Sequence, residues 1–151
     1  MKLTRSTDAA FRMLILLAGE HKRQSAKQIS RAINIPFNHA AKILQALSKA
    51  GFVRTIKGKG GGAELASHPD DIRLDSVISA MEGPIHLMEC TINANACPLS
   101  ADCSLSRKIK EAQDSMIRVF SSYSIADLLK KNSISKKSLS IDKSGQSIQS
   151  K

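Results

Sequence analysis

The chain has 151 residues, of which 42% are apolar and 3% aromatic, and its formal net charge is +10. This length suits one compact unit, and the scarcity of aromatic side chains favours packed helices with an aliphatic core over a β-sandwich or barrel. No run approaches the roughly 20 apolar residues that a membrane span needs, so we expect a cytoplasmic protein.

Two helices are predicted in the first 32 residues. Ser6 or Thr7 can cap the first helix, and Gly19 marks its end. Residues 25–28 read Ser-Ala-Lys-Gln, which matches a capping box and opens a second helix that extends to about Ala32. The positions expected to face the core have helical spacing and are Phe11, Leu14, Ile15, Ala18, Ile29 and Ala32.

A third helix and a β-hairpin are predicted next. After a short turn at 34–36, the third helix is expected over 38–50, with Gly51 as its C-terminal stop. Two β-prone arms, 52–56 and 63–66, flank a Gly-rich tip, and this arrangement indicates a hairpin. The apolar positions of the third helix are Ala40, Ile43, Leu44 and Leu47.

A helix-turn-helix followed by a basic hairpin, or wing, is typical of winged helix-turn-helix proteins, whose second helix enters the major groove of DNA. Residues 1–63 carry twelve Lys or Arg against two acids, whereas residues 64–131 carry seven against ten. The alternative to DNA binding is a basic surface that is merely solvated. For Asn38, the alternative to a base contact is a role as a helix N-cap. Asn can pair with adenine, while Lys and His can donate to phosphates. The predicted DNA contacts are Gln28, Asn38, His39, Lys42, Lys57 and Lys59.

Three further helices are predicted. Asp75 caps the fourth, which stops at Gly83, and Ser124 caps the last short one. The long helix over 104–123 spaces its apolar residues alternately four and three apart, which is typical of a helix–helix seam. The Ser/Lys-rich residues 132–151 are expected to be disordered. The apolar positions are Val77, Ile78 and Met81 in the fourth helix and Leu105, Ile109, Ala112, Met116, Val119 and Tyr123 in the long one.

The predicted fold class is mainly α with a small β-hairpin wing. We divide the chain into a winged helix-turn-helix domain at 1–83, a cysteine segment with a dimerisation helix at 84–131, and the tail at 132–151. The seam predicts a homodimer, which would place two recognition helices about 34 Å apart on a pseudo-palindromic operator. The alternative is that the stripe packs on its own domain. An enzyme is not expected, because the sequence has no phosphate-cradling loop, no nucleophile–base pairing and no evident paired carboxylates.

Cys90, Cys97 and Cys103 fall in one irregular segment of the sequence. Zinc sites usually show paired Cys-x-x-Cys knuckles, whereas thiolates spread along a loop can hold the separated irons of an iron–sulfur cluster. Structural zinc and redox-active thiols are the alternatives. Three thiolates leave one iron of a 4Fe–4S cluster without a Cys ligand. A ligand from elsewhere in the chain or from a partner subunit would serve, and the local candidates are His86, Glu89 and Asp102.

Residues 1–131 resemble a known family, the small bacterial winged-helix repressors with iron–sulfur sensors. The resemblance is carried by "MKLTRSTDAAFRMLILLA" at the start, "FNHAAKILQALSKAGFV" in the third helix, "KGKGGGAELA" in the wing and the three cysteines. Within the family, the Thr7-Asp8 pair, the Asn38-His39 pair with Lys42, and the wing glycines are most similar to the nitric-oxide-sensitive repressors.

The resemblance implies that Asp8 of the partner subunit supplies the fourth cluster ligand, although an acid is also favoured in any first helical turn. A related branch, the iron–sulfur assembly regulators, uses a His three residues after the last Cys, where this chain has Ser106. Two features depart from the family. Six residues separate Cys90 from Cys97 where five are usual, and Glu64 follows the wing glycines where a basic or neutral residue is common, which would weaken or retune wing contacts.

The implied function is a repressor that loses operator DNA when nitric oxide reacts with its iron–sulfur cluster. A 4Fe–4S cluster is favoured and a 2Fe–2S cluster is the alternative. The same fold sensing iron or redox state is a second hypothesis. A DNA-binding protein with a structural zinc or redox-thiol loop is the hypothesis of another class. The expected partners are double-stranded DNA and a second copy of the chain, with no membrane.

Overall fold

The computed structural model describes residues 3–93, 95, 97–98 and 103–131, so the predicted disordered tail lies outside the described residues. Six α-helices and a two-stranded antiparallel hairpin are seen in this part of the chain, together with short 3-10 turns at Pro69–Asp71 and Glu89–Thr91. The elements in chain order are α1 (Arg5–Glu20), α2 (Ala26–Ala32), α3 (Phe37–Lys49), β1 (Val53–Ile56), β2 (Gly62–Leu65), α4 (Leu74–Glu82), α5 (Ser104–Ser122) and α6 (Ile125–Lys131).

Helix α1 begins earlier than predicted, because Thr4 caps it by accepting a hydrogen bond from the backbone N–H of Thr7 at 3.3 Å. The prediction that Ser6 or Thr7 is the cap is therefore wrong. Thr7 is instead fully buried, and its hydroxyl donates to the Glu82 carboxylate at the end of α4. The N-terminus of α1 is thus joined to the residue that closes α4.

The helix-turn-helix pair forms as predicted. The backbone N–H of Gln28 donates to Ser25 Oγ at 3.2 Å and Gln28 Oε1 accepts from the Ser25 N–H at 2.8 Å, which confirms the capping box. Helix α3 begins one residue earlier than predicted, with Pro36 as its N-cap. All four apolar positions predicted to face the core from α3 are buried, namely Ala40, Ile43, Leu44 and Leu47.

The wing is attached to the loop between α1 and α2 by backbone hydrogen bonds. The Gln24 N–H donates to the Ala63 carbonyl at 3.0 Å, and the Ala63 N–H donates back to Gln24 at 2.7 Å. Gly62 has φ of 153°, and a Cβ there would lie 2.6 Å from the Gln24 carbonyl oxygen, so only glycine fits this approach. The loop between α1 and α2 therefore pairs with β2 through one antiparallel bridge, which holds the hairpin against the helical domain.

The core is centred on α1, which packs against α3, α4, α6 and β2. Helix α4 begins at Leu74 after Arg73, so Asp75 lies in its first turn and the prediction that it is the cap is wrong. Ser124 does cap α6, since its Oγ accepts from the Asp127 N–H at 3.3 Å, as predicted. The largest fully buried side chains are Met13, Leu14, Ile29, Leu47, Val53, Ile72, Val77, Ile78 and Ile125.

Helix α5 is the exception to this packing. Of its described side chains only Gln113 is buried, where its Oε1 accepts from the Leu87 N–H at 3.2 Å and from the Thr91 hydroxyl at 3.1 Å. Three apolar residues of the predicted seam, Leu105, Val119 and Tyr123, are 58%, 56% and 40% exposed. In the described residues, no helix has both the length and the apolar character needed to cross a bilayer.

Candidate nucleic-acid interface and cysteine segment

The first turn of α3 carries the predicted base-contacting residues. Asn38 lies inside the helix and is exposed, so the N-cap interpretation is wrong and its carboxamide faces solvent. Lys42 is exposed one turn further along. His39 is half-buried instead, with its Nε2 3.3 Å from the Ser6 hydroxyl oxygen of α1. The recognition helix is therefore tied to α1 through the residue next to Asn38.

Gln28 has a structural role that limits its use in DNA contact. Its Oε1 accepts hydrogen bonds from both the N–H and the hydroxyl of Ser25, each at 2.8 Å. Because this oxygen is occupied by the cap, a contact with DNA would have to come from the amide nitrogen. The exposure of Gln28 on α2 is compatible with such a contact.

The wing tip presents two lysines. Lys57 and Lys59 are exposed, and no acidic side chain in the described part of the chain forms an ion pair with either. The tip turn is closed by the Gly61 N–H, which donates to the Gly58 carbonyl at 2.9 Å. An exposed ammonium group on a compact turn is suited to phosphate contact.

Glu64 lies at the base of the wing and holds two arginines that the sequence analysis did not single out. Its Oε1 accepts from Arg54 Nε at 3.0 Å and from the Arg54 Nη2, while its Oε2 accepts from Arg23 Nε at 3.1 Å. The hydrogen bonds from Arg54 are the main reason that the pKa of Glu64 lies below its ordinary value, and those from Arg23 add to this effect. The hairpin register could have revealed Arg54, but Arg23 is 41 residues distant.

Asp8 lies on the outer face of the first turn of α1. Its Oδ2 forms an ion pair with Arg12 Nη2 at 2.7 Å, and both side chains are more than half exposed. The neighbouring Thr7 is buried, and its hydroxyl donates to the Glu82 carboxylate, which also accepts from the backbone N–H of Thr4. The Thr7 hydroxyl is the main cause, and the Thr4 N–H the next, of a pKa of Glu82 below its ordinary value. Asp8 is thus accessible from outside its own subunit.

The three cysteines are free and half-buried. Cys90 lies in the 3-10 turn Glu89–Thr91. Cys103 is the N-cap residue of α5, but its side chain accepts no capping hydrogen bond from the first turn of that helix. The described residues of one chain contain no group of three or more His, Cys, Asp or Glu that could hold a metal ion. The thiols suit iron or zinc chemically, but the described part of one subunit does not gather a complete site.

The local candidates for a fourth ligand differ in their surroundings. His86 has a buried Nδ1 for which the described residues supply no hydrogen-bond partner. Glu89 is exposed at the start of the 3-10 turn. Asp102 lies outside the described residues. The His86 nitrogen and the three free thiols have a chemistry that fits a cluster or a soft metal ion, although the described residues do not gather them into one site.

Comparison with known proteins identifies the class of molecule. A family model described as Rrf2, iron-dependent transcriptional regulator, matches residues 3–131. The chain is 37% identical over 133 residues to the HTH-type transcriptional regulator NsrR of Bacillus subtilis, which covers 86% of this chain and 91% of that protein. It is also 37% identical over 132 residues to NsrR of Halalkalibacterium halodurans, with 85% and 90% covered.

Solved structures agree on the fold. The structure of CymR, the global cysteine regulator of B. subtilis, superposes with a TM-score of 0.71 at 25% identity and covers 87% of this chain and 98% of that one. IscR of T. potens superposes with a TM-score of 0.68 at 23% identity, covering 86% and 87%. The predicted mainly helical fold with a winged helix-turn-helix is confirmed. The relatives are named transcriptional regulators, as the prediction of a non-enzyme requires.

Proposed function

Since the chain belongs to the Rrf2 family of transcriptional regulators, we propose that it is a DNA-binding repressor that senses nitric oxide through an iron–sulfur cluster. The observation that carries the proposal is the set of three free cysteines beside α5 in a chain whose curated relatives are named NsrR. Nitric oxide as the signal rests on the resemblance to the nitric-oxide-sensitive repressors.

The DNA interface would be formed by α3 and the wing. Asn38 and Lys42 are exposed on consecutive turns of α3, so Asn38 can reach a base edge while Lys42 reaches the backbone. Lys57 and Lys59 would contact phosphates on the flank, where the affinity depends on salt. His39 would act mainly through its contact with Ser6, which fixes the recognition helix against α1.

The cluster would be held by Cys90, Cys97, Cys103 and Asp8 of the partner subunit. When bound, a 4Fe–4S cluster would supply iron atoms with which nitric oxide reacts, and a carboxylate would be its most easily displaced ligand. The exposure of Asp8 supports this assignment, because the carboxylate of each subunit must reach beyond its own chain. Its ion pair with Arg12 is between exposed groups and would be easily exchanged.

The exposed apolar residues of α5 favour dimerisation through this helix. Leu105 and Val119, two residues of its apolar stripe, are more than half exposed in the described part of the chain. Two such helices packed as a coiled coil would bury the stripe and bring the cysteine segment of one subunit toward the other. The two recognition helices would then address half-sites about 34 Å apart.

The first turn of α1 provides a route between the two regions. Ser6 contacts His39 of the recognition helix, and Thr7 donates to Glu82, which immediately precedes the cysteine segment. Asp8 follows these two residues directly. A displacement of this turn would therefore alter the packing of α3 and of the end of α4 together.

The proposal is tested with duplexes selected from a random pool by the anaerobically purified protein, followed by titration with a nitric oxide donor. Wild type should release the selected duplex, and Asp8→Ala should release it at a several-fold lower dose because its cluster lacks the fourth ligand. Asp114→Ala removes an exposed acid from α5 and is the matched control. Release of wild type and Asp8→Ala at identical doses would contradict the role of Asp8.

Iron supply is the second candidate signal, because the matching family model is described as iron-dependent. An iron-dependent repressor would lose the selected duplex when a chelator removes iron in the absence of nitric oxide. A nitric oxide sensor would retain the duplex under mild chelation and release it on addition of the donor. The two titrations on one preparation separate the alternatives.

A further inference from the structure

Glu64 is bound to two arginines in a geometry that resembles arginine recognition of a phosphate. It accepts from two nitrogens of Arg54 with one carboxylate oxygen and from Arg23 with the other. Arg54 and Glu64 are direct cross-strand partners in the hairpin register. A guanidinium offers a planar fork of donors that suits carboxylates and phosphates alike, so the two anions compete for the same face.

The backbone reinforces this arrangement. Gln24, the neighbour of Arg23, pairs with Ala63, the neighbour of Glu64, through two hydrogen bonds. The Nη1 of Arg23 also lies 3.5 Å from the Gly60 carbonyl at the wing tip. Both arginines therefore belong to the wing surface, although the sequence separates Arg23 from it. With Glu64 ionised, the three side chains carry one net positive charge in place of two.

The tip lysines are in a different state. Lys57 and Lys59 are exposed, and within the described chain neither has an acidic partner at ion-pair distance. The wing thus contains two cations that are free to meet phosphates and two that a carboxylate already holds. Sequence-independent affinity grows with the number of phosphates that a protein neutralises.

We propose that Glu64 limits non-specific DNA binding by holding Arg54 and Arg23 away from the phosphate backbone. The inference rests on the proposed DNA-binding role of the wing. A regulator competes with a very large excess of non-operator sites, so a lower sequence-independent affinity leaves more of it available for the operator. Glu64 is then a specificity-determining residue that contacts no DNA.

The test uses Glu64→Gln and a random-sequence duplex, so no operator is needed. The variant keeps the shape of the side chain but weakens its hold on both arginines. We expect several-fold tighter binding at about 50 mM salt. Because each additional phosphate contact adds about 0.9 to the slope of log affinity against log salt concentration, the slope should be steeper by roughly 1 to 2. Fluorescence anisotropy at several salt concentrations measures both.

Two further variants separate a local effect from a change in net charge. Glu111→Gln removes the same charge from an exposed ion pair with Lys108 on α5, and it should leave the slope unchanged. The double variant with Arg54→Gln and Glu64→Gln should have a salt slope that is less steep than that of Glu64→Gln by about one phosphate contact. A slope as steep in Glu111→Gln as in Glu64→Gln would overturn the inference.

Should Glu64→Gln fail to fold, single substitutions in the wild-type chain decide the matter. Lys59→Gln should lower the salt slope by about 0.9, whereas Arg54→Gln should lower it less, because Glu64 already holds Arg54. Equal losses would overturn the inference, as would a folded Glu64→Gln with the wild-type slope. A wild-type chain that binds no duplex would refute the proposed function and the inference together.

Discussion

The α5 region differs from the helical domain that contains the wing in how completely its apolar side chains are buried within one subunit. In the helical domain, α1 packs against α3, α4, α6 and β2, and most of its apolar side chains are buried. In α5, only the polar Gln113 is buried among the described side chains, and Leu105, Val119 and Tyr123 of the apolar stripe are exposed. The helical domain buries most of its apolar side chains within one subunit, whereas the exposed apolar residues of α5 are the ones that the proposed dimer would cover.

The largest effect is expected from Leu47→Ala in α3. Leu47 is fully buried, and removing a buried leucine side chain typically costs about 2–5 kcal/mol because it leaves a cavity. Urea unfolding measures the change. Leu105→Ala is the control, because this leucine of α5 is 58% exposed in one subunit and should cost far less when unfolding is measured at protein concentrations that dissociate the proposed dimer. Equal losses for the two leucines would show that the contrast between the regions is false.

A charge in the stripe of α5 should break the dimer without unfolding the subunit. Val119→Asp places a carboxylate at a position that is 56% exposed in one chain but buried in the proposed interface. We expect the dissociation constant of the dimer, measured by sedimentation, to rise at least tenfold, which corresponds to about 1.4 kcal/mol. Ser121→Asp introduces the same charge off the stripe and should leave the dimer intact. Dissociation by both variants to the same extent would argue against the seam.

A smaller loss of stability is expected from Ser25→Ala in the helix-turn-helix. The substitution removes the capping box of α2, in which Ser25 Oγ accepts from the Gln28 N–H. Loss of such a cap costs about 1 kcal/mol, measurable as a lower urea midpoint. The variant keeps the hydrogen bond from the backbone N–H of residue 25 to Gln28 Oε1, so only the hydroxyl contacts of Ser25 are lost. Ser79→Ala, at an exposed site on α4, should change the midpoint much less.

The smallest effect concerns acid stability through Glu82. Hydrogen bonds from Thr7 and Thr4 hold the pKa of Glu82 in the folded chain below 4.5. Its contribution is therefore fully present above pH 4.5 and is lost as the pH falls through the lower folded pKa. Glu82→Gln should lack this part of the decline in urea midpoint between pH 5 and pH 3. An identical decline in the two proteins would remove Glu82 from the account.

The sequence predicted those elements whose signals are local. The 3.6-residue spacing of α3, the capping box of α2 and the Ser124 cap of α6 were all confirmed, because each depends on residues within a few positions of one another. The cap of α1 was misassigned among neighbouring hydroxyl residues. Thr7 does not cap the helix because its hydroxyl donates a hydrogen bond to Glu82, which is 75 positions away in the sequence.

The candidate site was predictable to a similar degree. Exposure of Asn38, Lys42 and the wing lysines followed from their place in the pattern. The contact of His39 with Ser6 and the pairing of Glu64 with Arg23 did not, since these partners are 33 and 41 residues apart and meet only through tertiary packing. The start of α4 at Leu74 has the same origin, because the Leu74 N–H donates to Tyr123 at 3.1 Å.

Metal analysis determines whether the cysteine segment holds a nitric-oxide-reactive iron–sulfur cluster, as we propose. The protein is purified without oxygen, its iron, sulfide and zinc are measured, and its visible absorption is followed during addition of nitric oxide. We expect about four iron and four sulfide per chain and an absorption that bleaches during the titration. Stoichiometric zinc, or a protein that stays colourless after anaerobic cluster reconstitution, would contradict it.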